Sequence, residues 1–369
     1  MSYRNAFIEA LESRQLLSLP PGMSPREIRH AYGLDHVVIA SGNNPIHANG
    51  AGQTIAIVDA YDAPNIAHDL RVFSKMFHLP TKDANGNFVL TKATTNPRPR
   101  ADAGWALEIS LDVEWAHAIA PRAHILLVEA ASPSNDNLLN AIDYARSQKG
   151  VSAVSLSWGG NESPFEQYYD QYLTTPGGHI GGSNLRGNVT FVSSSGDAGA
   201  PASWPAVSPN VVAVGGTTLQ LNNNKTRDYG SESAWAGSGG GYSFYENTVA
   251  PDVAYDADPK SGFAVYDSTR GDSNRGWQVV GGTSAGAPQW AAIIALADQG
   301  RALHKAGSMS THQALTGLYS LPAADFHDIV SGSNGYNAGP GYDLVTGRGT
   351  PRADRLILDL IKMTLPRNA

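Results

Sequence analysis

The sequence of 369 residues contains no cysteine, and charged residues make up only 16% of it. Without cysteine, the chain can form no disulfide bond, thiolate metal site or cysteine nucleophile. A net charge of -7 argues against nucleic acid or an anionic membrane as the main partner. The longest apolar stretches, 123–131 and 290–297, are far shorter than the roughly 20 residues that a membrane span needs.

The N-terminus also lacks the apolar segment of about 7–15 residues that an ordinary signal peptide carries. Residues 1–20 are interpreted as a leader or remnant segment, although a surface helix or a frayed end fits their amphipathic pattern equally well. No linker-like tract interrupts the rest of the sequence, so we expect residues 21–369 to form one domain.

Strand and helix patterns alternate along most of the chain. The run T-I-A-I-V-D at 54–59 is typical of a strand buried on both faces. The predicted strands are 54–59, 123–129, 153–157, 189–193 and 211–214, and the predicted helices are 25–32, 65–77, 102–118, 135–148 and 284–299. This alternation predicts an α/β fold in which helices flank both faces of a mostly parallel central sheet.

A first group of candidate residues lies in the motif G-G-T-S-A-G-A-P at 281–288, just before a long apolar helix. Ser284 would sit at the N-terminus of that helix, where free N–H groups and the helix dipole favour negative charge. An attacking hydroxyl would benefit from this field, and the Ser284 N–H could donate to an oxyanion. A simple N-cap serine explains the same pattern.

A second candidate group is Glu108 and Asp112, which are four residues apart on a predicted helix and so share one face. Trp105 and Trp115 flank them, so this face is not simply solvated. Two neighbouring carboxylates in an apolar setting cannot both ionise easily, so we expect one pKa to rise and a proton to be shared. Two solvated acids on an exposed helix are the alternative interpretation.

The third candidate is Asp197 in S-S-S-G-D at 193–197, directly after a predicted strand. Ligands in open parallel sheets bind at the carboxyl ends of the strands. A protonated carboxyl group there can donate to an oxyanion, and we expect Asp197 to be partly buried and to keep its proton in acid. Out of context, an aspartate that caps a turn fits as well.

Histidine is absent from these motifs. None of the 11 histidines lies in an H-G-x-x-V-A-G setting, and no H-E-x-x-H pair occurs. The candidate serine therefore has no obvious imidazole base in the sequence.

These motifs, in this order, resemble the sedolisin family of serine-carboxyl peptidases, and the similarity extends from about Met23 to Pro351. The resemblance implies a subtilisin-like fold, with Ser284 as nucleophile and Glu108 as general base. It further implies that Asp112 orients Glu108 and that Asp197 donates to the oxyanion.

Further roles rest on the same resemblance. Ser157, Trp158 and Gly159 would pair with the substrate backbone, and Asp59, at the end of the first buried strand, would be an acid bonded to Glu108. One structural Ca²⁺ is implied as well. Its ligands would be two carboxylates and three carbonyls in the loop 328–343, namely Asp328, Ile329, Gly339, Gly341 and Asp343. Such oxygen-rich, glycine-rich loops suit calcium, although by residue pattern alone this is a surface turn.

The sequence thus predicts an acid-acting endopeptidase with polypeptide substrates and an activity maximum around pH 3–5. We expect a monomeric, secreted protein without nucleic-acid or membrane partners. Sedolisins usually carry a long prosegment, and none is evident in the chain as given. Two alternatives stay open: a neutral subtilisin-type peptidase using Asp59 and a histidine such as His117, and a non-catalytic binding or scaffold protein on the same fold.

Overall fold

The computed structural model describes residues 19–41, 44–271 and 275–363. The predicted leader, residues 1–20, lies almost entirely outside the described residues. Within them, no helix combines the length and apolar character that a membrane span requires.

Seven α-helices lie in the described part of the chain. They are α1 (Pro25–Ala31), α2 (Ile66–Met76), α3 (Ala103–Ile119), α4 (Asn135–Ser147), α5 (Thr283–Leu303), α6 (Thr311–Ser320) and α7 (Ala353–Lys362). The five helices predicted from the sequence are confirmed as α1 to α5. At the start of α1, the Ser24 hydroxyl accepts from the Glu27 N–H and the Glu27 carboxylate accepts from the Ser24 N–H, as in a capping box.

The described residues also form sixteen strands. They are β1 (Val38–Ser41), β2 (Asn44–His47), β3 (Thr54–Ala60), β4 (Leu90–Thr94), β5 (His124–Ala130), β6 (Val151–Leu156), β7 (Thr190–Ser194), β8 (Val212–Leu221), β9 (Tyr229–Ala234), β10 (Gly241–Tyr242), β11 (Val249–Ala250), β12 (Val253–Asp256), β13 (Phe263–Asp267), β14 (Gly276–Val280), β15 (Phe326–His327) and β16 (Thr350–Pro351). The five predicted strands are confirmed as β3, β5, β6, β7 and β8.

Eight of these strands form the central sheet, in the order β12-β8-β7-β6-β3-β5-β4, with β9 added beside β8. All neighbours in that order are parallel, and only β9 runs antiparallel to β8. The prediction of a mostly parallel sheet is therefore confirmed. Four antiparallel strand pairs lie outside the sheet, among them the hairpin β13–β14.

The sheet is buried on both faces because alternate residues of its strands contact different helices. Along β3, Ile55 and Ile57 lie in clusters that include residues of α3, whereas Ala56 and Val58 lie in the cluster that contains α4. Helix α5 packs on the same side as α3 and is buried over most of its length. One α/β domain results, with helices on both faces of the sheet, as the alternation of strand and helix patterns predicted.

Candidate active site

The candidate residues meet at the carboxyl ends of the parallel strands. Asp59 lies at the end of β3, Ser157 follows β6, and Asp197 lies just beyond β7. Ser284 lies in the first turn of α5, which packs against the same strands. The strand ends thus bring together residues more than 200 positions apart, at the edge where parallel sheets bind ligands.

Ser284 is held by a break in the hydrogen bonding of α5. Pro288 has no N–H, so the carbonyl of Ser284, four residues earlier, lacks its helical donor. The hydroxyl of Ser157 donates to this carbonyl instead, at 3.2 Å. The Ser284 hydroxyl donates to the carbonyl of Ser157 at 3.4 Å and lies near enough to Glu108 to lower the pKa of that carboxyl group. The first turn of α5 is thereby fixed to the loop after β6.

Asp197 is fixed to the same helix start through Thr283. The N–H and the hydroxyl of Thr283 both donate to Oδ1 of Asp197, each at 2.8 Å, and the N–H of Gly196 donates to the Thr283 hydroxyl at 3.1 Å. Gly282 has a φ of 118°, and a side-chain carbon there would lie 2.6 Å from Oδ2 of Asp197. Because Oδ1 already accepts two hydrogen bonds, Oδ2 is the oxygen left to carry a proton toward a ligand.

Three carboxyl groups lie together beside Ser284. Glu108 and Asp112 occupy successive turns of α3, and Asp59 approaches them from β3, close enough for each acid to repel another. Asp59 and Asp112 are fully buried. Among the described residues, no N–H or O–H group makes a geometrically defined hydrogen bond to either oxygen of these two aspartates or to Oε1 of Glu108. Such buried oxygens are satisfied when the carboxyl groups share protons with one another.

The electrostatics of this carboxyl cluster favour protonated acids. Burial raises the pKa of Glu108 to about 7, a hydrogen bond from Ser284 opposes that rise, and repulsion from Asp197 adds to it. Burial, with repulsion from Asp59 and Glu108, raises the pKa of Asp112 well above its usual range. Burial and repulsion from Glu108 and Glu129 do the same to the pKa of Asp59. The predicted rise of a carboxyl pKa in the Glu108–Asp112 pair is confirmed.

One expectation about Asp197 is wrong. The side chain is exposed to solvent in the free protein rather than partly buried. Asp197 lies three residues beyond the end of β7, outside the buried part of the sheet, and it is held there by Thr283 at the start of α5. A bound substrate, and not the fold alone, would have to exclude water from this carboxyl group.

The structure also bears on the histidine alternative. His117 lies nine residues beyond Glu108 on α3, which corresponds to about 13 Å along the helix axis. It is fully buried, and burial lowers its pKa to about 4. Within the described residues, no histidine hydrogen bonds to Ser284, Glu108 or Asp112. A triad built from Asp59, His117 and Ser284 therefore does not fit this arrangement.

The segment Ser157–Trp158–Gly159 forms one wall of the cleft beside Glu108. The cleft has a volume of about 530 Å³, and Trp105 lines it from α3. The Trp158 indole N–H donates to the carbonyl of Val58 at 2.8 Å, which fixes this wall to β3. Within the described residues, the main-chain groups of Trp158 and Gly159 form no main-chain hydrogen bonds. This edge is free to pair with an extended peptide.

In the loop predicted to bind calcium, both carboxylates accept hydrogen bonds from the main-chain N–H groups of glycines. Both oxygens of Asp328 accept from the Gly341 N–H, at 3.1 and 3.0 Å, and Oδ2 of Asp343 accepts from the Gly339 N–H at 3.0 Å. Asp328 is exposed, whereas Ile329 is buried. Two carboxylates on an open, glycine-rich loop give an oxygen-only donor set with room for water, which fits the chemistry that calcium requires.

A family model described as the subtilase family matches residues 101–320, which is more than half of the sequence. The chain belongs to the subtilase family. The matched region includes Glu108, Asp112, Asp197 and Ser284, so all four candidate catalytic residues lie within it.

The curated relatives that this subtilase resembles include sedolisin and kumamolisin. Kumamolisin from Bacillus sp. (strain MN-32) is 29% identical, over 95% of this chain and 66% of that protein. Sedolisin from Pseudomonas sp. (strain 101) is 26% identical, over 85% of this chain and 57% of that protein. Human tripeptidyl-peptidase 1 is 26% identical, over 92% and 64%. The chain thus spans less than two thirds of the length of these relatives.

Solved structures agree on the fold. The Pseudomonas sedolisin structure, described as a serine-carboxyl proteinase with two molecules of pseudo-iodotyrostatin, matches with a TM-score of 0.72 and 23% identity. That match covers 92% of this chain and 98% of the other. A lanthipeptide protease matches with a TM-score of 0.56 and 16% identity, over 83% and 87%. The resemblance to the sedolisin family and the subtilisin-like fold are therefore confirmed.

Several residues that build the site were not assigned a function from the sequence. Thr283 and Pro288 lie in the quoted motif, but nothing in the motif indicated that they would fix Asp197 and Ser157. Lys92 and Glu129 form an ion pair at 2.9 Å near Asp59. Glu129 lies on β5, which neighbours β3, and Lys92 lies on β4, the next strand of the sheet. The only sequence signal for Glu129 is an acid near the end of an otherwise apolar strand.

The buried acids lead to a prediction about stability. Burial raises the pKa of Asp298 to about 8 and that of Glu129 to about 7, whereas unfolded carboxyls titrate near 4. The folded protein therefore holds protons that the unfolded chain has lost, and the free energy of unfolding should fall as pH rises from about 4.5 to 7. Each such group contributes about 1.4 kcal/mol per pH unit.

Urea unfolding at several pH values, with chelator present, measures this slope. Asp298→Asn keeps the shape of the side chain, including an acceptor for the Met309 N–H at 3.0 Å, and cannot titrate. The variant should show a smaller loss of stability between pH 5 and 8 than the wild type. A slope that Asp298→Asn leaves unchanged would contradict the assignment of a buried, protonated Asp298.

Proposed function

We propose that this protein is an acid-acting serine-carboxyl endopeptidase. The observation that carries the proposal is the position of Ser284, in the first turn of α5 and beside the buried carboxyl cluster of Glu108, Asp112 and Asp59. In this arrangement the serine is the nucleophile, the neighbouring carboxylate is the base, and the helix dipole favours the negative charge that develops during attack. The competing base, a histidine, is not found near Ser284 among the described residues.

In the acylation step, Glu108 in its ionised form accepts the Ser284 proton as the hydroxyl oxygen attacks the scissile carbonyl. Burial, with repulsion from Asp59 and Glu108, also raises the pKa of Asp112, so Asp112 in its protonated form can donate to Glu108 and orient it. When the tetrahedral intermediate collapses, protonated Glu108 gives the proton to the leaving amine. The carbon–nitrogen bond breaks, and an acyl ester forms on Ser284.

The oxyanion that develops on the carbonyl oxygen needs donors. The Ser284 N–H, in the first turn of α5, has no partner within the helix. Oδ2 of Asp197 supplies a second donor when it carries a proton, since Thr283 fixes the other oxygen. A protonated carboxyl group donates to the oxyanion, whereas an ionised one would repel it.

Deacylation reverses these roles. A water molecule attacks the acyl ester while Glu108 accepts its proton, and the proton then returns to the Ser284 oxygen as the acid product leaves. The substrate chain lies extended along the free edge at Trp158 and Gly159, where main-chain pairing holds many sequences equally well. The requirement for a protonated Asp197 places this activity in an acidic environment, so we propose that the protein acts outside the cytoplasm.

Cleavage of an acid-denatured protein, followed across pH 3–8, tests the proposal. Activity should appear on the acid side of pH 7, and the Ser284→Ala variant should show none above background. Equal cleavage by wild type and Ser284→Ala would assign the activity to another group or a contaminant. A folded wild type without cleavage at any pH would support the non-catalytic alternative.

We also propose that Asp328 and Asp343, with the carbonyls of Ile329, Gly339 and Gly341, hold a structural calcium ion. Calcium would supply a positive charge between two carboxylates and tie the loop 328–343 to the body of the domain. Support for this site comes from the hydrogen bonds of Asp328 and Asp343 to main-chain N–H groups within the loop, and from the burial of Ile329. No step of the chemistry at Ser284 involves this ion.

Chelation of calcium should lower the melting temperature of the protein. An ion that binds only the folded state stabilises it by about 2.7 kcal/mol when its concentration is a hundredfold above the dissociation constant. Asp328→Ala and Asp343→Ala should melt like the chelated wild type, with no further effect of chelator. Asp359→Ala, which removes an exposed acid paired with Lys362 on α7, is the matched control. An unchanged melting temperature at pH 6–7 with chelator would count against this site.

A further inference from the structure

Two histidines and an aspartate lie close together on the surface where α1 ends, and none of them lines the candidate cleft. His30 occupies the last turn of α1, and Asp35 and His36 belong to the 3₁₀ turn Leu34–His36. Gly33, with a φ of 73°, bends the chain between them. One possible ligand atom from each of the three side chains lies within 4.8 Å of the other two. Two ligands of one zinc ion are at most about 4.2 Å apart, so small side-chain rotations would place all three around one ion.

The Asp35 carboxylate lies between the two imidazole rings. Its Oδ2 is 2.8 Å from Nδ1 of His30, and its Oδ1 is 3.5 Å from Nε2 of His36. The two rings meet edge to face, with centroids 5.8 Å apart. Two imidazole nitrogens and one carboxylate form a donor set that suits zinc and other divalent transition metals. Calcium and magnesium prefer oxygen ligands alone, so this group differs in kind from the loop 328–343.

The contacts of His30 show that a positive charge belongs at this place. Nε2 of its ring lies 2.7 Å from Oδ1 of Asp228, and Nδ1 lies 2.8 Å from Oδ2 of Asp35. A neutral imidazole has only one N–H, and an ionised carboxylate has none. In the neutral ring, one nitrogen lone pair therefore faces a carboxylate oxygen without a proton between them. A second ring proton removes this repulsion in acid, and a metal ion bound to Nδ1 removes it without that proton.

Asp228 occupies the place of the outer carboxylate that usually accompanies a metal-binding histidine. If Nε2–H of His30 donates to Asp228, the Nδ1 lone pair points toward Asp35 and is free to bind an ion. Asp228 is itself held in place, because its Oδ2 accepts from the side-chain amide of Asn224 at 2.8 Å. The orientation of the His30 ring is thus set before any ion binds, which lowers the entropic cost of binding.

No lysine or arginine in the described part of the chain forms an ion pair with Asp35 or Asp228. Two arginines of the same region are engaged elsewhere. Arg29 lies near Asp35 but donates to main-chain carbonyls at the end of α3, and Arg227 pairs with Glu27 at 3.1 Å. A divalent cation beside His30 would supply the positive charge that these two carboxylates otherwise lack.

We propose that His30, Asp35 and His36 bind one divalent transition metal ion such as Zn²⁺. Three protein ligands leave a coordination position for water, and Asp228 orients the His30 ring. The ion would join the end of α1 to the turn that follows it and, through Asp228, to the loop before β9. Its expected effect is to stabilise this edge of the domain. The inference does not depend on the peptidase function or on calcium binding.

Calorimetric titration of the tag-free protein with ZnCl₂ tests this site. At about pH 7.5, with calcium in excess, most histidines are neutral, since their ordinary pKa is about 6.5. We expect one saturable Zn²⁺ per chain and a higher melting temperature when zinc is bound. His36→Gln should abolish saturable binding, and because the His36 side chain is 65% exposed this change should leave the fold intact. Asp228→Ala should weaken binding by about 10- to 100-fold.

His304→Gln is the matched control, because His304 is an exposed histidine at the end of α5 and lies outside this group. It should bind zinc like the wild type. His30→Gln provides a second ligand variant and should also lose the site. Absent saturable binding in the wild type overturns the inference, and so does zinc binding that survives both His30→Gln and His36→Gln. Loss of zinc binding in Asp328→Ala, but not in His36→Gln, would place the ion at the calcium loop and overturn it as well.

Discussion

Replacing Ser284 with alanine, or Glu108 with glutamine, should lower kcat by about 10⁴–10⁶-fold. Removing one member of a catalytic unit costs nearly as much as removing all of it, because the remaining groups cannot act alone. Ser284→Ala removes the oxygen that forms the acyl ester. Glu108→Gln keeps the shape of the side chain but cannot accept a proton, so the serine hydroxyl stays protonated during attack. Single-turnover cleavage of a denatured protein measures both losses.

Helix α3 offers a matched control. Glu114 is also fully buried on this helix, but its Oε2 accepts from the Tyr266 N–H at 3.0 Å, away from Ser284. Burial raises the pKa of Glu114 well above its usual range, so Glu114→Gln replaces a neutral acid with a neutral amide. This variant should keep most of the activity. Near-normal activity in folded Glu108→Gln would move the base elsewhere and reopen the search for a histidine.

The sequence was sufficient where the information is local. A spacing of four residues placed Glu108 and Asp112 on one face of α3, because helical geometry alone requires it. The β-branched run before Asp59 predicted a buried strand and hence an acid at its end. The position of Ser284 at the start of α5 followed from the small residues that precede an apolar helix.

Other features could not be predicted because they depend on contacts between distant segments. A small pocket beside the cleft is lined by residues of α4, of the loop after β6 and of the segment before β8. No local sequence pattern predicts this pocket. The exposure of Asp197 depends on how far the chain extends past β7, which periodicity does not specify. Hairpin β13–β14 packs on α2 and α3, so its strands are defined by tertiary contact rather than by alternation.

The buried surroundings of Glu108 change the pH range in which activity is expected. A sequence-based value near 4.3 for an ordinary glutamate predicted activity around pH 3–5. Burial raises the pKa of Glu108 to about 7, so in the free cleft the base is mostly protonated at those pH values. Hydrogen bonds donated to the Glu108 carboxylate, by Asp112 or by the bound substrate, would have to favour the ionised form in the complex.

Substitutions of Asp197 should give the second large effect on kcat. Asp197→Ala removes an oxyanion donor and should lower kcat by about 10²–10³-fold. Asp197→Asn should keep much more activity, because its carbonyl can accept from the Thr283 N–H and hydroxyl while its amide donates in place of Oδ2. Rates of both variants on one peptide, with melting temperatures to verify folding, measure the difference.

The pH profiles of these variants distinguish a titrating donor from a fixed one. In the wild type, activity needs Glu108 ionised and Asp197 protonated, so kcat/KM should be bell-shaped with a maximum on the acid side of pH 7. Asp197→Asn cannot lose its donor, so the alkaline fall should disappear and activity should rise to a plateau. The same change removes the repulsion that Asp197 exerts on Glu108, so the pKa of Glu108 should fall and the midpoint of the rise should lie below about 7. An alkaline fall that persists in Asp197→Asn would mean that another group titrates there, and Asp197 would then not be the proton-dependent donor.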